Sequence, residues 1–152
     1  MSSKEIAVVV EEIKEKFSGI DVDDKLTVTV PAEELIALMQ ELKNNPDYDF
    51  NYLTNLTAVD YPEDFVVVYN LVSFCHGYTL MVKVKADKEG PQVPSLVPVW
   101  GGANWQEREV YDLFGIVFTG HPNLKRILLD DGFEGYPLRK DFEWVGGRQL
   151  SS

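Results

Sequence analysis

Between residues 49 and 86 three strand-patterned runs are separated by very short connections, and this leaves the chain few ways to fold. The runs cover 49–59, 65–74 and 78–86, and in the last of them Leu80, Val82 and Val84 alternate with Lys83 and Lys85. That period of two marks a strand with one buried face. The connections, Asp60 to Asp64 and Cys75 to Gly77, are too short for a crossover, so the strands must form an antiparallel meander. Upstream, Ile6, Val9, Val10, Ile13 and Phe17 recur at helical spacing and predict an amphipathic helix over 5–17. Leu26, Val28 and Val30 alternate with Lys25, Thr27 and Thr29, which predicts a strand ended by Pro31. Leu35, Ile36, Leu38, Met39 and Leu42 predict a second helix over 32–43, closed by Asn44, Asn45 and Pro46. Helices packed on one face of an antiparallel sheet of about four strands give an α+β fold in two layers.

From Gly90 onward the texture changes. Pro91, Pro94 and Pro98 argue against regular structure until Gly101 and Gly102. Asn104, with Glu107 three residues on, reads as the N-cap of a short helix over about 105–114 that stops at Gly115. Frequent Gly and Pro beyond it predict an extended, irregular C-terminal tail with turns. The chain therefore divides into an α+β core domain, residues 1–118, and an interaction tail, residues 119–152.

The charges follow the same division. The chain carries 14 basic and 25 acidic residues, a net charge of −11, which repels a phosphate backbone and excludes nucleic acid as the main partner. All four arginines, Arg108, Arg126, Arg139 and Arg148, lie in the second part among Trp100, Trp105, Tyr111, Phe114, Phe118, Phe133, Tyr136, Phe142 and Trp144. Arginine with aromatics is the composition enriched in protein interfaces. A single cysteine, Cys75, excludes an internal disulfide, a four-cysteine zinc site and a four-cysteine iron–sulfur cluster within the chain. Residues 1–17 have neither signal-peptide nor transit-peptide character, so the protein is expected to stay where it is made. Asn70, Ser73, His76, Gly77 and Thr79 interrupt the apolar run 65–82, which does not suit a membrane-spanning helix.

The residues capable of chemistry give weak patterns. Glu107, Arg108, Glu109 and Asp112 share two turns of helix, where Arg108 and Asp112 fall on one face and are expected to pair. Two carboxylates with His121 could serve as acid and base, although capping and ion pairing explain the same residues. His76 and His121 lack the spacing of metal ligands, and Cys75 beside His76 reads as a turn thiol rather than a nucleophile. The pairs Lys125-Arg126 and Arg139-Lys140 accompany no glycine-rich phosphate loop. Read as physics alone, this is an interaction module.

A longer pattern adds a resemblance. The run Ala103-Asn104-Trp105-Gln106-Glu107-Arg108-Glu109-Val110-Tyr111-Asp112-Leu113-Phe114-Gly115-Ile116 is followed by Phe118, Gly120-His121-Pro122, Leu124, Arg126-Ile127-Leu128 and Pro137-Leu138-Arg139-Lys140-Asp141-Phe142. This closely resembles the thirty-kilodalton subunit family of proton-pumping NADH:quinone oxidoreductase, respiratory complex I. The family pattern of Glu-Arg-Glu, an acid, two apolar residues, a His and a basic residue falls without a gap on Glu107 to Glu109, Asp112, Leu113, Phe114, His121 and Lys125. The resemblance also takes in Val93-Pro94-Ser95-Leu96, Trp100 and the strands.

It implies a subunit with no catalytic, cofactor or metal residues of its own, with flavin and iron–sulfur clusters on partner subunits. Such a subunit packs against the forty-nine-kilodalton quinone-site subunit and other peripheral-arm subunits, on the cytoplasmic face of the cell membrane, touching the membrane only through them. The resemblance marks Trp105, Glu107, Arg108, Glu109, Asp112, Phe114, His121, Pro122, Arg126, Pro137, Leu138, Arg139, Lys140, Asp141 and Phe142 as signature and interface residues. Related modules in membrane-bound hydrogenases and in dehydrogenases fed by ferredoxin or deazaflavin leave the electron donor open. A small stand-alone enzyme using Glu107, Glu109 and His121 is the reading from another class.

Overall fold

The computed structural model describes residues 5–129, 133–145 and 148–150, of which 143–145 and 148–150 are described by their backbone alone. The element order is α1 (Ile6–Lys16), β1 (Asp21–Val22), β2 (Val28–Thr29), α2 (Ala32–Asn44), β3 (Tyr52–Asp60), β4 (Asp64–Ser73), β5 (Tyr78–Asp87), β6 (Gln92–Pro94), α3 (Ala103–Phe114), β7 (Val117–Thr119), β8 (Glu143–Val145) and β9 (Arg148–Leu150). The class is α+β, as the sequence predicts. None of the described helices is long and apolar enough to cross a membrane.

The meander β3-β4-β5 is antiparallel throughout. The sheet differs from the expected four antiparallel strands in two respects. It has five strands in the order β1-β2-β5-β4-β3, and it is mixed, because β2 runs parallel to β5 with Val28 opposite Val82. The reason lies in the connection: α2 carries the chain across one face of the sheet from β2 to β3 on the far side of β4. The alternation from Lys25 to Val30 also overstates β2, which pairs only at Val28 and Thr29. Leu26 has a φ of 64° in a turn where Asp23 Oδ1 accepts the N–H groups of Lys25 and Thr27, both at 2.9 Å.

Register places one set of alternating residues of β3, β4 and β5 on the core face. Leu56, Ala58 and Asp60 stand opposite Tyr69, Val67 and Phe65, which stand opposite Val82, Val84 and Ala86. Against that face pack Val9, Val10 and Ile13 of α1, Leu35, Leu38, Met39 and Leu42 of α2, and Ala103, Val110 and Phe114 of α3, in a single core. At 13 residues α2 is near the length at which an isolated helix is marginal, so its four buried side chains, about 1.5–3 kcal/mol each, hold it helical.

The proline-rich segment is a second departure. It contains β6, parallel to β7, where no regular structure was expected. Proline is tolerated there because the ladder uses alternate residues. The Pro91 carbonyl accepts from Val117 N–H and, at the other end, Ser95 N–H donates to the Thr119 carbonyl, both at 2.9 Å, so Pro94 lies between residues that carry the ladder. Residues 120–129 and 133–142 are irregular, and β8 pairs with β9 in a short antiparallel ladder.

Candidate functional site: the signature helix and its strap

The signature residues meet at α3 and at residues 121–129 and 133–142, which fold back over it as a strap. The helix does not begin as expected. Gly102 takes the N-cap position without a side-chain bond, so Asn104 and Glu107 form no capping box. The Glu107 side chain turns inward instead. Its Oε1 accepts from Ser95 Oγ at 2.6 Å and its Oε2 from Leu96 N–H at 2.7 Å, which ties α3 to the segment after β6. The carboxylate is fully enclosed. Burial pushes its pKa up to about 7, against the pull of the Leu96 N–H and the Ser95 hydroxyl.

His121 closes the other side. Its Nδ1 accepts from Asn123 N–H at 2.9 Å, so the ring proton sits on Nε2, which donates to the Asn104 carbonyl at 3.1 Å. Nε2 also lies 4.0 Å from Glu107 Oε1, and neither side chain has exposed surface. The hydroxyl of Tyr69 is buried with no hydrogen-bond partner among the described residues. Burial first, and the charge of Glu107 second, hold its pKa well above the usual value. A substrate has no access to Glu107 or His121 here. Glu109, two residues along the helix and so turned to another side, is partly buried and does not join them.

The C-terminal half of α3 is organised by a second buried acid. Asp112 does not pair with Arg108, contrary to the same-face expectation, because Arg126 reaches it from the strap. Arg126 Nε lies 2.6 Å from Asp112 Oδ1, an ion contact whose N–H is not aligned on the oxygen. Asp112 Oδ2 accepts from the backbone N–H groups of Ile127, Leu128 and Leu129 at 3.1, 2.7 and 3.0 Å. Arg108 turns away, stacking on the Trp105 ring at 4.9 Å and donating from Nε to the Lys125 carbonyl at 3.1 Å.

The last turn of α3 exposes carbonyl groups and contains no basic residue. The strap satisfies them, where cations are favoured by the helix dipole. Arg126 Nη2 donates to the Asp112 carbonyl at 2.9 Å, Leu138 N–H to Leu113 at 3.0 Å and Arg139 Nε to Phe114 at 2.6 Å. Arg126 also donates to the carbonyls of Phe133 and of Gly135. Both guanidiniums lie against the Tyr136 ring, Arg126 at 4.9 Å and Arg139 at 4.8 Å from its centroid. Gly115, at φ +77°, lets the strap approach: a Cβ there would fall 2.6 Å from the Tyr136 ring.

The remaining predicted residues divide. Phe114 is buried and meets Phe65 edge-on, and Phe142 stacks on Phe133. Lys140 contributes its backbone N–H to Asp60 Oδ2 at 2.8 Å, while Pro137 is partly buried and Pro122 and Asp141 are exposed. Trp105, Leu128 and Leu138 stay 57%, 57% and 52% exposed. Sequence reasoning gave no role to Ser95 and missed Tyr69 and Asp60. It gave no role either to Gln106, whose side chain accepts from Leu56 N–H at 2.7 Å on the outer strand β3. None of these has a spacing that marks it. Among the described residues no group of three or more His, Cys, Asp or Glu side chains is placed to hold a metal.

Residues 28–148 match the family model described as "Respiratory-chain NADH dehydrogenase, 30 Kd subunit". The chain is 49% identical over 138 residues to the C subunit of the NADH-quinone oxidoreductase of Moorella thermoacetica, covering 88% of this chain and 92% of that one. It is 48% identical over 130 residues to the mitochondrial NADH-ubiquinone oxidoreductase 30.4 kDa subunit of Neurospora crassa, covering 84% of this chain and 46% of the relative. The chain thus spans about half the length of that fungal relative. Among solved structures it is similar to a trypsin-resistant fragment of Nqo5, at a TM-score of 0.65 and 37% identity over 78% of this chain and 98% of the fragment. A chain of the archaeal membrane-bound sulfane sulfur reductase aligns at a TM-score of 0.79 and 27% identity, over 93% of this chain and 88% of that one. The chain belongs to the family of the 30 Kd subunit of the respiratory-chain NADH dehydrogenase.

Proposed function

We propose that this chain is a cofactor-free structural subunit in the peripheral arm of a proton-pumping NADH:quinone oxidoreductase. In this reading it packs against the larger, quinone-site subunit on the cytoplasmic face of the membrane, and flavin and iron–sulfur clusters reside on other subunits. One observation carries the reading: four charged side chains of the signature are engaged inside the chain, while three of its apolar side chains are left exposed. Glu107, Asp112, Arg126 and Arg139 bind the chain's own backbone or side chains. Trp105, Leu128 and Leu138 remain exposed on α3 and the strap, and exposed apolar groups of this kind mark contact surfaces. The single cysteine cannot supply a cluster, which supports placing redox groups elsewhere.

The likeness to the sulfane sulfur reductase chain favours a second reading, an equivalent subunit of a related membrane-bound respiratory complex with another electron donor. Affinity capture of the chain from solubilised membranes, with mass spectrometry and an NADH:quinone assay of the eluate, tests both. Recovery of the quinone-site subunit with NADH activity is the expected result. Recovery without that activity supports the second reading, and a chain that emerges alone defeats both.

A further inference from the structure

The carboxylate of Asp112 is held by more than an ion pair. Three successive backbone N–H groups, from Ile127, Leu128 and Leu129, converge on one of its oxygens at 2.7–3.1 Å. Consecutive N–H groups around a concavity make an anion nest. Arg126, immediately before them, closes the other side of the carboxylate at 2.6 Å, and the Asp112 side chain has no exposed surface. We propose that residues 126–129 are a binding site for small carboxylates and related oxyanions, filled in the folded chain by Asp112, and that this internal ligation latches residues 126–129 and 133–142 onto α3.

Two features carry the proposal. The three nest donors are backbone groups and the adjoining cation is a guanidinium in ion contact, so the site selects a negative charge of carboxylate size rather than the residue that bears it. Along the strap the nest comes after the contacts of His121 and Lys125 with α3 and before those of Leu138 and Arg139. The bonds from Leu138 and Arg139 to the Leu113 and Phe114 carbonyls follow it in sequence and depend on the chain being turned back there. Because the ligand is tethered, its effective concentration is high, and a free carboxylate does not displace it. In a chain whose position 112 lacks the side chain, a free carboxylate takes its place.

Acetate is the matching probe, since it reproduces the side chain that Asp112→Gly removes. Hydrogen exchange of the variant is followed in chloride and in acetate at equal ionic strength. In chloride the amides of 127–129 and of 138–139 are expected to exchange at least about tenfold faster than in the wild type, as a locally opened segment does. Acetate restores their protection saturably, and acetate does not alter the wild type. A variant that keeps protected amides in β3, β4 and β5 but shows no response to acetate overturns the proposal. If the glycine variant does not fold, Asp112→Asn decides: it keeps the shape without the charge and must exchange faster at 127–129. Wild-type rates in Asp112→Asn overturn the proposal too.

Discussion

Asp112 and Arg126 bind each other twice. The guanidinium meets the carboxylate through Nε and the carbonyl of the same aspartate through Nη2, at 2.6 and 2.9 Å. The first contact neutralises a buried charge, and the second caps the helix that carries it.

Lysine at 126 keeps the charge and loses this geometry. A lysine ammonium is a point donor that cannot bridge the carbonyls of Asp112, Phe133 and Gly135 while also facing the carboxylate. Arg126→Lys should cost about 2 kcal/mol, and Arg126→Ala, which leaves Asp112 buried without its cation, about 3–5 kcal/mol. Urea denaturation measures both. A lysine variant as stable as the parent would show that charge alone suffices.

Glu107 makes stability depend on pH. Its folded-state pKa of about 7 lies above the ordinary glutamate value of 4.5, so the folded chain holds a proton that the unfolded chain has already released between these values. The associated stability is complete below about pH 4.5 and is lost as pH rises through about 7. A difference of this size amounts to about 3 kcal/mol. Glu107→Gln removes the titration and keeps a neutral side chain of similar shape. The advantage of wild type over Glu107→Gln should therefore shrink by a few kcal/mol between pH 5 and pH 8. A difference that stays constant across that range would contradict the assignment.

Which parts of this arrangement were legible in sequence follows from the range of the interactions. The meander was readable because alternation and short connections act within about ten residues, and register then fixes the core face. The β2–β5 pairing was not, since Val28 and Val82 are brought together by the path of α2 rather than by any local pattern. Proximity along the helix suggested that Arg108 serves Asp112. The structure gives that role to Arg126, because the strap can bring a guanidinium to the acid and to a free carbonyl together. The signature marked Glu107 and Asp112, but spacing alone did not show that both point inward. Ser95 and the nest at 127–129, which make that inward placement tolerable, lie outside the helix.

Two glycines separate backbone strain from crowding. Gly115 and Gly120 both have positive φ, 77° and 81°, but an added Cβ meets Tyr136 and Arg139 within 2.8 Å at Gly115 and nothing within 4 Å at Gly120. Gly120→Ala should cost about 1 kcal/mol, the left-handed backbone penalty. Gly115→Ala adds displacement of Tyr136 and Arg139 and should cost about 2–4 kcal/mol, as overpacking does. Thermal denaturation of the two variants gives the difference, and equal losses would mean that the strap does not press on Gly115.

Trp105 offers the sharpest separation of folding from assembly. Its ring is 57% exposed, and its described ring contact is the Arg108 guanidinium, which is itself anchored to the Lys125 carbonyl. Removing the indole leaves the core and both buried acids untouched, so Trp105→Ala should change the stability of the isolated chain by no more than about 0.5 kcal/mol. If α3 and the strap form the contact with the quinone-site subunit, an exposed tryptophan beside an arginine is the expected anchor, and its loss should weaken binding by at least about 2 kcal/mol, roughly thirtyfold. Co-purification and a titration against the quinone-site subunit measure this directly. Unchanged affinity would move the contact surface away from Trp105, to the opposite face of the sheet where Tyr52, Phe74 and Met81 are also exposed.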